Sequence, residues 1–347
     1  MTARGDVVVP AGLLSPTGEP TAMRFGIIST AHIALGSVVP AIQNSEHTVL
    51  AIASREAARA EAVAAEHDVP RAYGSYEALL ADDDVDVVYN PLPNALHAEW
   101  SRRAADHGKH VLCEKPLAAD ASEARALFDY CEERGVTLME AFMYRFHPRT
   151  ERAVEIVERE LGTVRGFDAA FSFRLDDPDD VRLDPNLAGG SVMDVGCYAI
   201  NAARLFLGDP DRVSASTTDT RDSGVDTGMA AVLAYDGATA RVASGFETDG
   251  NQYYRIETTD GWLHAEPAFG IDPDERATLE WHADGRTVVE EFDPVDHYRL
   301  QVEAFAAAVE AGDAPRVTRA ETLGNMRTID AVYESAVSGT AVSLDDE

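Results

Sequence analysis

Between Arg24 and Glu140 the chain alternates short, mostly apolar runs with amphipathic stretches. The runs Arg24–Ile28, Val49–Ala53, Val85–Tyr89, His110–Cys113 and Val136–Glu140 are too short for helices and have the composition of strands buried on both faces. Arg55–His67, Ala95–His107 and Ser122–Arg134 instead return to apolar residues every three or four positions, as a helix with one buried face does. Strands that alternate with helices pair in parallel, and the crossover helices cover both faces of the sheet. Residues 23–145 therefore read as a doubly wound α/β domain.

The pattern changes after Pro148. Spacing predicts a helix over Arg149–Leu161, a strand over Val164–Phe173, an Asp- and Pro-rich loop from Leu175 to Leu187, and a helix from Gly190 to Leu207. Period-two runs then fill residues 211–292, punctuated by Asp236-Gly237, Asp249-Gly250, Asp260-Gly261 and Asp284-Gly285. An Asp-Gly pair between alternating runs is a hairpin signal, so this region reads as an antiparallel sheet. Two helices close the chain, Asp296–Ala311 and Arg319–Ser338. Residues 146–347 are expected to form a second, α+β domain whose last helices pack back on the first. Residues 1–22 read as a loose arm.

Composition narrows the function. A chain of 347 residues can hold two cores, and a hydrophobic content of 45% is ordinary for a globular protein. No stretch approaches the roughly 20 apolar residues of a membrane span, and the first 22 residues lack the basic start and long apolar core of a secretion signal. A formal charge of −32 argues against nucleic acid and anionic membrane as partners. Lys109 and Lys115 are the only lysines; every other cation among the 29 Lys and Arg is Arg. Acid excess with so little Lys fits a protein adapted to molar salt, where a Debye length of about 3 Å screens carboxylates from one another. Cys113, Cys131 and Cys197 are too few and too scattered for a disulfide framework or a zinc site, which points to a reducing cytoplasm. No cluster has metal-ligand spacing, and no metal is expected.

The first strand runs into Gly26-Ile27-Ile28-Ser29-Thr30-Ala31-His32-Ile33, where a dinucleotide-binding domain carries its phosphate loop. Gly26 occupies a glycine position, with Ser29 and Ala31 as small substitutes. The pyrophosphate would rest on main-chain N–H groups from Thr30 to Ile33 at the helix start. The second strand ends in Ser54-Arg55, with Arg59 one turn later, where an NAD-binding domain carries Asp or Glu for the ribose 2′-hydroxyl. A hydroxyl and two guanidiniums suit a 2′-phosphate, so NADP is the expected cofactor.

Strand His110–Cys113 delivers Glu114-Lys115-Pro116 to its carboxyl end, the edge at which open α/β sheets bind ligands. Pro116 keeps Lys115 out of helical geometry. In a chain nearly free of Lys, one retained there is a candidate site residue. In the later helix Asp194, Tyr198 and Asn201 fall at i, i+4 and i+7 on an otherwise apolar surface. Such a stripe either satisfies a buried network or lines a cleft, and Gly189, Gly190 and Gly196 would admit a close neighbour. Alcohol oxidation needs a base, and a phenol whose ionisation is eased by the Lys115 ammonium could serve.

Together these residues resemble the glucose-fructose oxidoreductase/inositol dehydrogenase family. The likeness rests on Gly26-Ile27-Ile28-Ser29, Asn90-Pro91-Leu92-Pro93-Asn94 with His97, Glu114-Lys115-Pro116, Met143-Tyr144-Arg145-Phe146-His147-Pro148, and Gly189-Gly190-Ser191-Val192-Met193-Asp194-Val195-Gly196-Cys197-Tyr198. It implies an N-terminal Rossmann domain and a C-terminal domain whose open, mostly antiparallel sheet joins subunits into a homo-oligomer. It places Lys115, Asp194 and Tyr198 at the family's catalytic positions, with Asn201 beside them toward the substrate. Asn90, Pro91, Leu92, His97, Glu114 and Arg145 fall in the cofactor shell. Many members carry His where this chain has Tyr198; the Tyr form resembles the branch with dihydrodiol and aldose dehydrogenases. With the acidic composition, the resemblance implies NADP-dependent oxidation of an aldose, D-xylose foremost, at C1 to the lactone. A trans-dihydrodiol or other cyclic polyol is the alternative substrate, and an NADP-sensing regulator is the non-enzymatic one.

Overall fold

The computed structural model describes residues 22–344, so the arm expected over residues 1–22 lies, but for Ala22, outside the described residues. The first domain is a six-stranded sheet paired in parallel throughout, built from β1 (Arg24–Ile27), β2 (Thr48–Ala53), β3 (Arg71–Tyr73), β4 (Val87–Asn90), β5 (His110–Cys113) and β6 (Leu138–Glu140). Its order is β3-β2-β1-β4-β5-β6, so the chain reverses direction across the sheet between β1 and β4 and opens a crevice at their carboxyl ends. Every residue of β4 is buried, as its unbroken apolar run requires. Between the strands run α1 (Val39–Gln43), α2 (Ala57–Glu66), α3 (Tyr76–Leu80), α4 (His97–Asp106) and α5 (Ala121–Glu133). A π-helical turn, Ala34–Val38, precedes α1.

The second domain begins with α6 (Pro148–Glu160), β7 (Val164–Arg174) and α7 (Cys197–Leu207). The strands β8 (Arg212–Thr218), β9 (Gly228–Tyr235), β10 (Ala238–Gly245), β11 (Glu247–Thr258), β12 (Gly261–Ala265), β13 (Ala277–Ala283) and β14 (Arg286–Phe292) complete its main sheet. The helices α8 (His297–Ala311) and α9 (Arg319–Ser338) and the short edge strand β15 (Val342–Ser343) end the described chain. The nine strands lie in the order β14-β13-β12-β11-β7-β10-β9-β8-β15. All pairs are antiparallel except β7 with β10. Three of the Asp-Gly pairs make the expected turns, between β9 and β10, β11 and β12, and β13 and β14. Asp249-Gly250 does not: it lies inside β11, where pairing with β7 slips between Glu247 and Asn251, and Gly250 at φ 54° takes up the irregularity as a bulge.

The inner face of this sheet, with Phe167, Ala169, Tyr254 and Ile256, is buried under α7. The last helices reach back to the Rossmann sheet's helices. α8 packs on α1 and on the turn Met143–Phe146, and α9 packs on α5 as well as on α7 and β8. α9 starts with a capping box, Thr318 with Glu321, and ends at Gly339 in the left-handed region. Salt bridges from Arg319 to Asp129 (2.6 Å) and Glu132 (2.7 Å) fix it across the first domain.

Candidate active site

A cleft of about 1280 Å³ runs between the carboxyl edge of the first sheet and the helix α7. That exceeds the roughly 300–1,000 Å³ of a site for one drug-sized ligand, leaving room for a dinucleotide and a small second molecule. One end is walled by the turn after β1, the end of β2 and the start of α4; the other by Lys115, residues 180–194 and Tyr198.

At the first end Ser29, Thr30, Ala31, His32 and Ile33 line the cleft. The Ser29 hydroxyl accepts from the Ala31 amide (3.0 Å), which shapes the turn, and the helix that begins there leaves its first N–H groups without intrahelical partners. Ser54, Arg55 and Arg59 line the same end, and Arg59 Nε donates to Thr30 Oγ1 (2.6 Å), tying the two loops together. Orphan helix N–H groups, a serine hydroxyl and two guanidiniums form a donor set that fits the phosphates of NADP. Pro91, Leu92 and Glu114 also reach the cleft.

Other expected cofactor contacts do not. A Cβ on Gly26 would come within 2.7 Å of Leu79 Cδ2, so the glycine serves packing against α3 rather than a ligand. Asn90 is fully buried, donating to the His97 carbonyl (3.1 Å) and Ser101 Oγ (3.1 Å) and accepting from the Leu92 amide (3.3 Å). His97 does border the cleft, but its ring is buried in the wall, its nitrogens 2.8 Å from the Pro116 carbonyl and 2.6 Å from that of Leu92. Burial pushes its imidazole down to about 4, so it is a neutral staple between the two loops. Arg145 faces away and pairs with Glu321 (2.6 Å), joining the domain junction to α9.

At the second end three groups from distant parts of the chain meet. Lys115 Nζ donates to the Asp194 carbonyl (2.6 Å) and to Asp194 Oδ1 (3.2 Å), and lies 4.9 Å from the centre of the Tyr198 ring. Arg182 Nε, from the Asp- and Pro-rich loop, donates to the other oxygen, Asp194 Oδ2 (2.8 Å). Burial alone would raise the Asp194 carboxyl, but Lys115 and Arg182 together hold it below the usual range. Burial would likewise lower Lys115, and Asp194 reverses that and raises it. The pair is charged at neutral pH.

Tyr198 departs from expectation. Its hydroxyl donates to Met143 Sδ (3.3 Å), and burial, then Tyr298 and Glu114, push its phenol well above its ordinary value. Lys115 sits over the ring, not at the oxygen, so the expected easing of ionisation does not outweigh desolvation. The resting residue is a neutral phenol with only a weak thioether acceptor, free to turn to a better one.

Asn201 leaves the stripe. It accepts from the Tyr144 hydroxyl at 2.5 Å, buried at the junction and off the cleft. Asp194 lies in a π turn, Val192–Gly196, that runs into α7, whereas Tyr198 and Asn201 both lie in the regular helix, Asn201 on the side that meets Tyr144. The turn is held at its start by Asp226, whose Oδ2 accepts from Ser191 Oγ (2.7 Å) and the Val192 amide (2.8 Å) while Oδ1 accepts from the Tyr333 hydroxyl (2.9 Å). Sequence reasoning also missed Arg182, Tyr298 and Trp100 on the cleft wall. For Arg182 the only signal was its place in a loop two residues from Asp180, which reads equally well as surface.

Comparison with known proteins agrees with this architecture. Residues 23–142 match the family model described as oxidoreductase family, NAD-binding Rossmann fold, and residues 151–264 match the GFO/IDH/MocA C-terminal domain. The chain is 66% identical to D-xylose 1-dehydrogenase (NADP(+)) 2 of Haloferax volcanii, over 93% of this chain and all of that one. Among solved structures it superposes on a 3-ketoreductase from Actinomadura kijaniata in complex with NADP and TDP-benzene, with a TM-score of 0.86, 35% identity, and 91% and 98% of the two chains covered. An aldose-aldose oxidoreductase from Caulobacter crescentus complexed with glycerol gives a TM-score of 0.87 at 29% identity over 93% and 100%. With both halves matched in order and the cleft where they meet, the chain belongs to the Gfo/Idh/MocA family of oxidoreductases.

Proposed function

We propose that the chain is an NADP-dependent aldose dehydrogenase that oxidises D-xylose at C1 to the lactone. The observation that carries this reading is the meeting of Lys115, Asp194 and Tyr198 at one end of a cleft whose other end holds Ser54, Arg55 and Arg59. The identity with the Haloferax enzyme supports the substrate and cofactor.

NADP, when bound, supplies the nicotinamide ring that accepts the hydride leaving C1. Ser54, Arg55 and Arg59 hold the 2′-phosphate, and the N–H groups from Thr30 to Ile33 hold the pyrophosphate. The sugar lies beside Lys115 and Tyr198, its anomeric hydroxyl replacing Met143 Sδ as the partner of the Tyr198 oxygen. Tyr198, in its ionised form, takes the hydroxyl proton as C1 becomes a carbonyl carbon. Lys115 steadies that anion from above the ring and donates to the sugar, and Asp194 fixes Lys115.

The second sheet keeps an outer face with Ala230, Val232, Ala243, Asp168, Arg241 and Tyr253, where Val232 is 43% exposed. A homo-oligomer joined through this face, working in a salt-loaded cytoplasm, completes the reading. The test is a panel of aldoses, inositols and dihydrodiols with NADP or NAD in molar KCl, followed by absorbance of the reduced cofactor. D-xylose with NADP is expected to be fastest. Turnover only with a diol would move the substrate, and cofactor binding with no turnover on any of them would leave a sensor instead.

A further inference from the structure

Arg182 is more than a counter-charge. Its main-chain amide donates to Asp180 Oδ1 (2.8 Å) and its carbonyl accepts from the Gly190 amide (2.8 Å). Its side chain is held as firmly: Nε on Asp194 Oδ2 (2.8 Å), Nη1 on both Asp180 oxygens (3.2 Å each), and the Phe173 ring centre 6.0 Å from the guanidinium carbon. A guanidinium has five N–H groups in a fixed fork. The two on Nη2 have no protein acceptor among the described residues, yet the side chain is 42% exposed and lines the cleft beside Lys115 and Asp194. A charged donor held rigid by four other contacts has little freedom left to lose when a ligand accepts from it.

The local charge adds a second constraint. Lys115 and Arg182 are set against the carboxyl groups of Asp180, Asp194 and Glu114. This end of the cleft therefore offers directed donors without surplus positive charge.

We propose that Arg182 is a substrate-binding residue that donates from Nη2 to a ring hydroxyl of an uncharged aldose, other than the hydroxyl being oxidised. The proposal rests on the aldose reading, and the experiment separates the two: turnover tests the reading, equilibrium binding tests Arg182. Enzyme saturated with NADPH, which leaves no oxidised cofactor to take a hydride from C1, is titrated calorimetrically with D-xylose and its 2-, 3- and 4-deoxy analogues. A hydrogen bond from a charged donor corresponds to a factor of about 10–100 in affinity. In the wild type, one deoxy analogue is expected to bind weaker than D-xylose by that factor. In Arg182→Ala, D-xylose falls to the affinity of that analogue, while the other two deoxy sugars keep their wild-type ratios to D-xylose. Arg182→Lys, which keeps a charge beside Asp194, controls for collapse of the site, and NADPH affinity should be unchanged in both variants. Equal weakening of all four sugars in Arg182→Ala would show that Arg182 acts only through Asp194 and overturn the proposal.

Discussion

At the scale of single residues, the chemistry rests on a phenol that burial keeps protonated. Tyr198 carries a raised value, and a base works only in its deprotonated form, so sugar oxidation should climb with pH across the range below 10 and approach tenfold per unit where the phenol limits the rate. A pH–rate profile flat from 7 to 10 would remove Tyr198 as the base. Tyr198→Phe should cost about 10²- to 10⁴-fold in kcat with little change in NADP affinity. At the other end, Arg55→Ala with Arg59→Ala should raise the KM for NADP by about 10-fold or more and leave that for NAD nearly unchanged, each guanidinium contact to phosphate amounting to about 1.5–3 kcal/mol. Lys115 was legible because the sequence has almost no other lysine and places this one at a strand end. Arg182 was not legible: nothing in one sequence says that an arginine in an acidic loop will reach a carboxylate on a helix that starts ten residues later.

At the scale of elements, the sequence pattern located nearly every strand and helix that positions the cleft, because burial on one face or both leaves a period in the residues. β3 and α3 escaped it, being too short and too mixed to show one. The parallel pairing of β7 with β10 escaped for another reason: hairpin signals report neighbours in sequence, and this pair is remote. The π turn at Val192–Gly196 has no signature in residue type, and it sets the position of Asp194 relative to Tyr198 at the start of α7, both of which line the cleft. Asp226 holds the start of that turn through buried hydrogen bonds. Asp226→Ala leaves the Val192 amide and the Tyr333 hydroxyl without their acceptor and Ser191 Oγ with Ser244 alone, which should cost about 1–3 kcal/mol of stability. Urea unfolding measures that cost, and a larger loss in kcat than in NADP affinity would show that the turn aims the catalytic side chains.

At the scale of the molecule, a net charge of −32 makes stability depend on salt. Raising KCl from 0.1 to 2 M should raise the unfolding temperature, because the Debye length drops from about 10 Å to below about 3 Å and the carboxylates cease to repel. A scanning series in KCl that moves the transition downward would contradict the salt-adapted reading. Acid should act through particular groups. Asp82, Asp86, Asp194 and Glu321 all sit below their ordinary values in the fold, each despite burial and because of a paired cation. A depressed carboxyl contributes stability above its unfolded value, near 4, and that contribution is lost as pH falls through the folded one. At high salt, circular dichroism should therefore show unfolding setting in below about pH 4.

The return of α8 and α9 to the first domain has a consequence for motion. The polymer crosses to the second domain near residue 148 and crosses back near residue 296, so the catalytic sheet is an excursion strapped at both of its ends. Any closing motion of the two halves over the cleft must therefore bend both crossings together, about an axis that passes near residues 148 and 296.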